Sequence, residues 1–212
     1  EVQRKLFSTL YNTYGFYALY ANIDGFVINE QDVVPVVERV ELDRWVISKL
    51  HTLIKQVTEA YEDYEPHTAA RLIEDFVDEH LSNWYVRLSR RRFWKGDMSA
   101  DKKAAYETLF ECLLKVAQLM SPIAPFFSEW LYQNLTSDIA EKAKAASAQL
   151  PLSYESVHLT RLSEYEQKHQ DISLEDRMDI AQKVTSLILS IRKKENIRVR
   201  QPLKKVQIPI ID

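Results

Sequence analysis

The strongest constraint on the fold is the spacing of apolar residues, which recur every three to four positions along most of the 212-residue chain. This spacing places them on one face of an α-helix. Amphipathic stretches of this kind cover residues 2–21, 42–61, 69–88, 106–120 and 174–191. The pattern therefore predicts an all-α fold, a bundle of about four or five helices.

Turn and cap residues separate these stretches. Asp24-Gly25 is typical of a turn after the first helix, and residues 27–40 are expected to form a connector. Ser99 is a favourable N-cap for the helix that follows it. Prolines are expected in the first turn of two further helices, at Pro66 and Pro125.

The C-terminal third is patterned less regularly. Residues 137–172 are expected to be irregular or partly ordered, whereas an amphipathic helix follows Ser173. Residues 206–210 are rich in β-branched side chains and typical of the first strand of another unit. We therefore expect a helical domain over residues 1–195 and the start of a small α/β region over 196–212. The first helical pattern has no capping residue before Glu1, so we expect the chain to be part of a longer one.

Several classes of protein are disfavoured by composition. No apolar run reaches the roughly 18 residues of a membrane helix, and no signal peptide is recognisable, so we expect no membrane association and a cytoplasmic location. The single cysteine, Cys112, excludes an internal disulfide framework. Three isolated glycines provide no Gly-rich loop for a nucleotide phosphate.

The positive charge is concentrated in two segments of an otherwise acidic chain. Residues 87–95 contain five cations and no acid, and residues 192–205 contain seven cations and one acid, although the net charge is −3. Such segregation indicates a polyanionic partner.

The first basic segment also contains aromatic residues. If its helix continues to about residue 92, Asn83, Arg87 and Arg90 project along one flank, while Trp84 and Leu88 face inward. Arginine offers a planar fork for phosphates and base edges, and an exposed Trp94 would stack on an unpaired base. The alternative is a structural role, in which Trp94 closes the core and the arginines pair with acids on a neighbouring helix or molecule, namely Glu74, Asp75, Asp78 and Glu79.

The second basic segment follows the last amphipathic helix. A helix dipole favours cations at this end, which accounts for residues 192–194. The charges that continue beyond it, at Arg198, Arg200, Lys204 and Lys205, are better explained by contact with a phosphate backbone. Two Glu-x-x-His pairs, Glu155/His158 and Glu166/His169, lie in a non-periodic region, so we expect neither a metal site nor a catalytic residue in this chain.

Several segments, in this order, resemble the isoleucyl-tRNA synthetase family, in its eukaryote-like form. They are Leu10-Tyr11-Asn12-Thr13-Tyr14, Phe16-Tyr17-Ala18-Leu19-Tyr20-Ala21-Asn22, Leu42-Asp43-Arg44-Trp45-Val46, Asn83-Trp84-Tyr85-Val86-Arg87, Arg92-Phe93-Trp94, Met120-Ser121-Pro122-Ile123-Ala124-Pro125-Phe126 and Val199-Arg200-Gln201-Pro202-Leu203. The Ser-Pro-Ile-Ala-Pro turn is shared with valyl and leucyl enzymes, but the ordered set is specific.

The resemblance implies an anticodon-binding helix bundle of a class I synthetase, with the start of its C-terminal junction region. The family's His-Ile-Gly-His and Lys-Met-Ser-Lys-Ser signatures are absent from this sequence. The parent enzyme would join isoleucine to its tRNA with ATP and magnesium, and this fragment, with no cofactor of its own, would be inactive alone. Its partners would be tRNA(Ile) and the catalytic and editing domains of the same chain, in a monomer.

The resemblance also implies roles for individual residues. Those expected to contact the anticodon region are Asn12, Asn83, Arg87, Arg90, Arg91, Trp94 and Lys95. Those expected to contact the tRNA backbone are Lys193, Lys194, Arg198 and Arg200. Asn12 matches the family only in part, and its alternative role is to cap or brace the bundle. Two alternatives for the whole chain are the equivalent domain of a valyl, leucyl or methionyl enzyme, and a helical scaffold that binds acidic protein partners.

Overall fold

A computed structural model describes residues 3–29, 31–145 and 155–207, with side chains described from Lys5 and omitted over 138–145. These residues form seven α-helices and no strand, which confirms the predicted all-α fold. The helices are α1 (Ser8–Asp24), α2 (Glu41–Glu62), α3 (Pro66–Asp75), α4 (Arg87–Trp94), α5 (Ala100–Met120), α6 (Pro125–Ala145) and α7 (Ile172–Lys194). The chain divides into two compact units, Glu1–Asp171 and Ile172–Asp212. None of the helices described has the length and apolar character needed to cross a membrane.

The helix boundaries follow the cap residues in the sequence. Gly25 ends α1 in the left-handed conformation, with a φ of 62°, which a glycine adopts at no steric cost. Pro66 occupies the first turn of α3. The Ser99 hydroxyl accepts a hydrogen bond from the Lys102 amide at 3.1 Å and so caps α5. The extension of α6 to Ala145 was not indicated by the weak pattern after residue 137.

Helices α2 and α5 form the centre of the first unit. α2 packs against α3 and α5, and α5 packs against α1 and α6. Their apolar stripes are fully buried, with Trp45 and Leu50 on α2 and Tyr106 and Leu113 on α5 at 0% exposure. The core is therefore built from the stripes that the periodicity predicted.

One long helix contains a change of geometry that the periodicity did not predict. Between α3 and α4 the chain forms a π-helix over Phe76–Val86, here called the π segment. A π-helix bonds residue i to i+5, so it contains more residues per turn than an α-helix. The buried positions shift accordingly by one residue, from Trp84 and Leu88 to Tyr85 and Ser89. The expectation that Leu88 faces inward is wrong: its side chain is 54% exposed, while Trp84 is partly buried.

Polar contacts fix the segments between helices. In the connector after α1, the buried Arg39 side chain donates to the Thr108 hydroxyl and to the Val34 carbonyl, both at 2.9 Å. Residues 155–171 contain two 3₁₀ turns, Val157–Leu159 and Gln167–His169. Their backbone is tied to α2, because the Asp171 amide donates to the Ser48 hydroxyl at 2.7 Å. Of the predicted irregular region, residues 146–154 lie outside the described residues.

The second unit consists of α7 and the turns that follow it. The apolar spacing of the predicted amphipathic helix places Leu174, Ala181 and Ile191 on its inward face. Leu174 is buried on α7, whereas Ala181 and Ile191 are exposed. Residues 202–207 form no regular element. Most of the predicted strand, residues 208–210, lies outside the described residues.

Candidate nucleic-acid interface

Helix α4 presents a row of cationic and aromatic side chains. Arg87, Arg90, Arg91 and Trp94 are spaced at i, i+3, i+4 and i+7, which places them on one side of the helix. All four are exposed, and so is Asn83 in the preceding π segment. These five residues are called the arginine face below.

The opposite side of α4 is held in the core. Ser89 and Phe93 are fully buried. The Phe93 ring packs edge-on against Tyr106 and Phe16, with ring centroids 4.9 and 5.0 Å apart. The arginine face is therefore carried by a helix whose orientation is fixed by packing.

Arg92 differs from the neighbouring arginines because it turns toward the core. Its guanidinium donates to both carboxylate oxygens of Asp43, at 2.6 and 2.7 Å, and to Asp101 at 3.0 Å. Asp43 is fully buried on α2 and also accepts a hydrogen bond from the Tyr85 hydroxyl at 2.9 Å. Burial opposes the charge of Arg92, but the hydrogen bonds to Asp43 and Asp101, together with the charge interactions with Tyr85 and Asp43, outweigh it and raise the pKa of the guanidinium. Arg92 is thus a structural residue that joins α4 to α2 and α5.

The structure tests the alternative in which the arginines of this segment pair with nearby acids and Trp94 closes the core. Among the described residues, no carboxylate forms an ion pair with Arg87, Arg90 or Arg91, so the acids at residues 74–79 do not neutralise them within this chain. Trp94 is 59% exposed, and the core position is occupied by Phe93. The alternative in which Trp94 closes the core is therefore excluded, and Trp94 is exposed as the binding interpretation requires.

The chain leaves α4 immediately after Trp94. Lys95 is extended, with φ −105° and ψ 122°, and Gly96 follows in the left-handed region with φ 74°. Lys102 then donates to the Gly96 carbonyl at 3.2 Å. This turn leaves Trp94 and the exposed Lys95 at the end of the helix.

Asn12 lies on α1, the helix that contacts α4 through an aromatic pair. It is exposed and precedes Phe16 by four residues, so both lie on one side of α1. The Phe16 ring contacts Phe93 of α4. In the part of the chain that the structure describes, no hydrogen bond to Asn12 would support its alternative role as a cap or brace.

Leu88 is an exposed neighbour of the arginine face that the sequence did not reveal. It lies three residues before Arg91, and its side chain is 54% exposed. The helical pattern assigned it to the core because the π segment changes the phase of the helix before it. No local signal in the sequence indicates such a shift.

In the second unit, the predicted backbone-binding residues are all on the surface. Lys193, Lys194, Arg198 and Arg200 are exposed. Arg192, the first cation of this segment, is partly buried and donates to the Arg198 carbonyl at 2.8 Å. Its guanidinium is therefore engaged with the protein backbone.

The two Glu-x-x-His pairs do not converge. Glu166 forms an ion pair with Lys168 at 2.6 Å, and the hydrogen bond from Lys168 lowers the pKa of Glu166. His158 is exposed in a separate turn. Over the described ranges, no three His, Cys, Asp or Glu side chains are grouped as ligands of a metal ion would be.

Comparison with known proteins assigns the chain to a family. The family described as the anticodon-binding domain of tRNA ligase matches residues 43–208. The chain therefore belongs to the anticodon-binding domain family of tRNA ligases.

Within that class, the whole chain is similar to isoleucine–tRNA ligases. It is 51% identical to the isoleucine–tRNA ligase of Bacteroides thetaiotaomicron over 212 residues, all of this chain and 17% of that protein. It is 50% identical to the enzymes of Porphyromonas gingivalis and Cytophaga hutchinsonii, again over all of this chain and 17% and 18% of theirs. The resemblance to the isoleucyl family is confirmed, and the chain spans less than a fifth of the length of these relatives.

Proposed function

We propose that this chain is the anticodon-reading part of an isoleucine–tRNA ligase and that it binds tRNA(Ile) through the arginine face. The observation that carries the proposal is the division of α4: Arg92 is locked to Asp43, while Arg87, Arg90, Arg91 and Trp94 remain exposed on a helix of the matched family. Whole-chain similarity to isoleucine–tRNA ligases supports tRNA(Ile) over the tRNA of a valyl, leucyl or methionyl enzyme.

The chemistry of the face suits an anticodon loop. Unpaired bases are recognised by stacking on aromatic rings and by hydrogen bonds to their edges. Trp94 would provide the stacking surface, and Arg87, Arg90 and Arg91 would contact phosphates or base edges through their planar forks. Asn83, Lys95 and the adjacent Asn12 would add polar contacts. Because packing already fixes α4, little conformational entropy is lost when the RNA binds.

The second unit would add contacts that do not depend on sequence. Lys193, Lys194, Arg198 and Arg200 would neutralise phosphates of the tRNA backbone, and each such contact makes binding weaker at higher salt. Discrimination between tRNAs would therefore come from the first unit, and general affinity from both.

The catalytic step would belong to the rest of the parent enzyme. The resemblance implies ATP and magnesium for that step. The three isolated glycines of this chain form no phosphate loop, and its described side chains form no group suited to magnesium. We therefore assign ATP and magnesium to the catalytic domain of a longer parent chain. That parent chain would also contain the editing domain. We further propose that the protein acts as a monomer in the cytoplasm.

A binding experiment tests the proposal. Fluorescence anisotropy with a tRNA(Ile) transcript is compared with a transcript whose anticodon is replaced, for the wild-type chain, for Arg87→Gln with Arg90→Gln, and for Arg71→Gln as a control on the exposed surface of α3. We expect the wild-type chain to prefer tRNA(Ile), the double variant to bind both RNAs more weakly, and the control to match the wild type. Equal binding by all three proteins would contradict the proposal.

A further inference from the structure

The end of α7 is closed by a motif that folds the chain back toward the helix. Asn196 adopts the left-handed conformation, with φ 52°. The Ile197 amide donates to the Arg192 carbonyl at 2.8 Å, and the Asn196 amide to the Lys193 carbonyl at 3.3 Å. This is the Schellman pattern, in which asparagine can replace the usual glycine. The residues after Asn196 are thereby directed back along the last turn of α7.

The side chain of Arg192 then binds the returning backbone. Its Nη1 atom donates to the Arg198 carbonyl at 2.8 Å and to the Gln201 carbonyl at 3.0 Å, with the Val199 carbonyl at 3.4 Å. The Gln201 amide donates to the Arg198 carbonyl at 3.0 Å, which closes a turn over residues 198–201. Hydrogen bonds from a charged donor are roughly twice as strong as neutral ones. Arg192 therefore ties both ends of this turn to the helix.

This arrangement holds like charges close together. Lys193 and Lys194 on the last turn of α7 and Arg198 and Arg200 on the returning turn are all exposed. Their mutual repulsion favours an open chain. Backbone carbonyls carry partial negative charge, so those around the Arg192 guanidinium compensate its own charge and oppose that opening. Four cations are thus kept at one end of the unit.

We infer that Arg192 is a positioning residue, which orders the turn so that Arg198 and Arg200 contact RNA phosphates together with Lys193 and Lys194. Its Nη1 atom is used on backbone carbonyls of the protein, so this positioning role does not require that Arg192 contact the RNA. The inference rests on the proposed function, because it assigns the RNA contacts of this unit to an ordered surface. An ordered set of cations binds a phosphate backbone at a lower entropic cost than a mobile one.

The test compares Arg192→Gln with Lys193→Gln, with the double variant Arg198→Gln and Arg200→Gln, and with Lys183→Gln as a control on the exposed surface of α7. Binding of a tRNA transcript is measured from low to moderate salt. A plot of log K against log salt has a negative slope, and one lost phosphate contact reduces the magnitude of that slope by about 0.7–0.9. We expect Lys193→Gln to reduce the magnitude of the slope by one contact and Lys183→Gln to leave it unchanged. Arg192→Gln should reduce it by about two contacts, because Arg198 and Arg200 both lose their ordered positions. Adding Arg192→Gln to the double variant should then cause no further drop.

Hydrogen exchange of the Gln201 and Ile197 amides provides a readout that is independent of RNA. Both should exchange faster in Arg192→Gln and at the wild-type rate in Lys193→Gln, with the thermal midpoint of the chain unchanged. The inference would be overturned if Arg192→Gln reduced the magnitude of the salt slope by one contact and this reduction added to that of the double variant. Arg192 would then itself be a phosphate ligand. Unchanged amide exchange in Arg192→Gln would also overturn it. If the wild-type chain binds no tRNA while Gln201 still responds, the proposed function fails and the phosphate role of this turn fails with it.

Discussion

The partly buried guanidinium of Arg92 donates two hydrogen bonds to the fully buried carboxylate of Asp43, at 2.6 and 2.7 Å. The two residues lie 49 positions apart in the sequence, on α4 and α2. Through this pair Arg92 faces the protein interior, whereas Arg87, Arg90 and Arg91 face outward. The pair also holds α4, which carries all four arginines, against α2.

Arg92→Ala should destabilise the fold by about 3–5 kcal/mol, because it leaves the Asp43 carboxylate buried without its partner. Arg90→Ala, on the exposed side of the same helix, should change the free energy of unfolding by about 0.5 kcal/mol or less. Urea denaturation followed by circular dichroism measures both. Similar unfolding midpoints for the two variants would contradict the assignment of Arg92 to the core.

The phase shift caused by the π segment is tested by two apolar residues. Phe93→Ala should cost about 3–5 kcal/mol of stability, as the loss of a large buried side chain does. Leu88→Ala should cost about 0.5 kcal/mol or less, because Leu88 is exposed. Thermal and urea unfolding of both variants provide the comparison, and a large loss for Leu88→Ala would restore the uninterrupted α-helical phase.

Trp94→Ala should weaken binding of tRNA(Ile) by about 1–3 kcal/mol, the contribution of one base stacked on an aromatic ring. The variant should also discriminate less well between tRNA(Ile) and a transcript with a replaced anticodon. Titration of each RNA at fixed salt measures both effects, with Trp94→Phe as the matched variant that keeps a ring. If Trp94→Ala instead melts several degrees lower and keeps its RNA preference, Trp94 supports the fold and does not read the anticodon.

Stability should fall in mild acid because of His51. Its imidazole is buried and accepts a hydrogen bond from the Glu166 amide at Nδ1, at 3.2 Å. Burial, with a contribution from nearby His169, lowers the pKa of His51 from 6.5 to about 4. Between these two values the unfolded chain binds a proton that the folded chain excludes, so stability is full above pH 6.5 and is lost as the pH falls toward 4.

The matched variant for this prediction is His51→Asn, whose amide oxygen can accept the same hydrogen bond and does not titrate. The free energy of unfolding is measured from pH 7.5 to 4 for both proteins, and the difference between the curves isolates His51 from the carboxylates. We expect the wild-type chain to lose roughly 3 kcal/mol more than the variant over this range. Parallel curves would show that His51 becomes protonated without opposing the fold.

The chain by itself should not activate isoleucine. The reason is the absence from its sequence of the two nucleotide-binding signatures of the family. Isoleucine-dependent exchange of pyrophosphate into ATP is the appropriate assay, and a full-length isoleucine–tRNA ligase serves as the positive control. Exchange above background in a preparation free of that enzyme would show that the chain has a catalytic site of its own.

The sequence by itself determined the helical class and most helix boundaries. Both depend on short-range physics: apolar residues at helical spacing predict a buried stripe, and Ser99 and Pro66 act on the helix turn next to them. The concentration of cations at residues 87–95 is likewise a property of the linear sequence. It indicated a polyanionic partner before any tertiary contact was known.

Only the tertiary structure decided how that segment is divided. Leu88 was predicted to face inward but is exposed, and the structural role of Arg92 was not indicated by the sequence. Both differences have a cause that lies outside residues 87–95. The π segment changes the helical phase through its i to i+5 hydrogen bonds, which exposes Leu88 and buries Tyr85. Arg92 donates hydrogen bonds to Asp43, which lies 49 positions away in the sequence and is close only after α2 and α4 have packed. Local spacing shows which residues lie near one another on a helix, but the partner of a buried charge depends on contacts between distant parts of the chain.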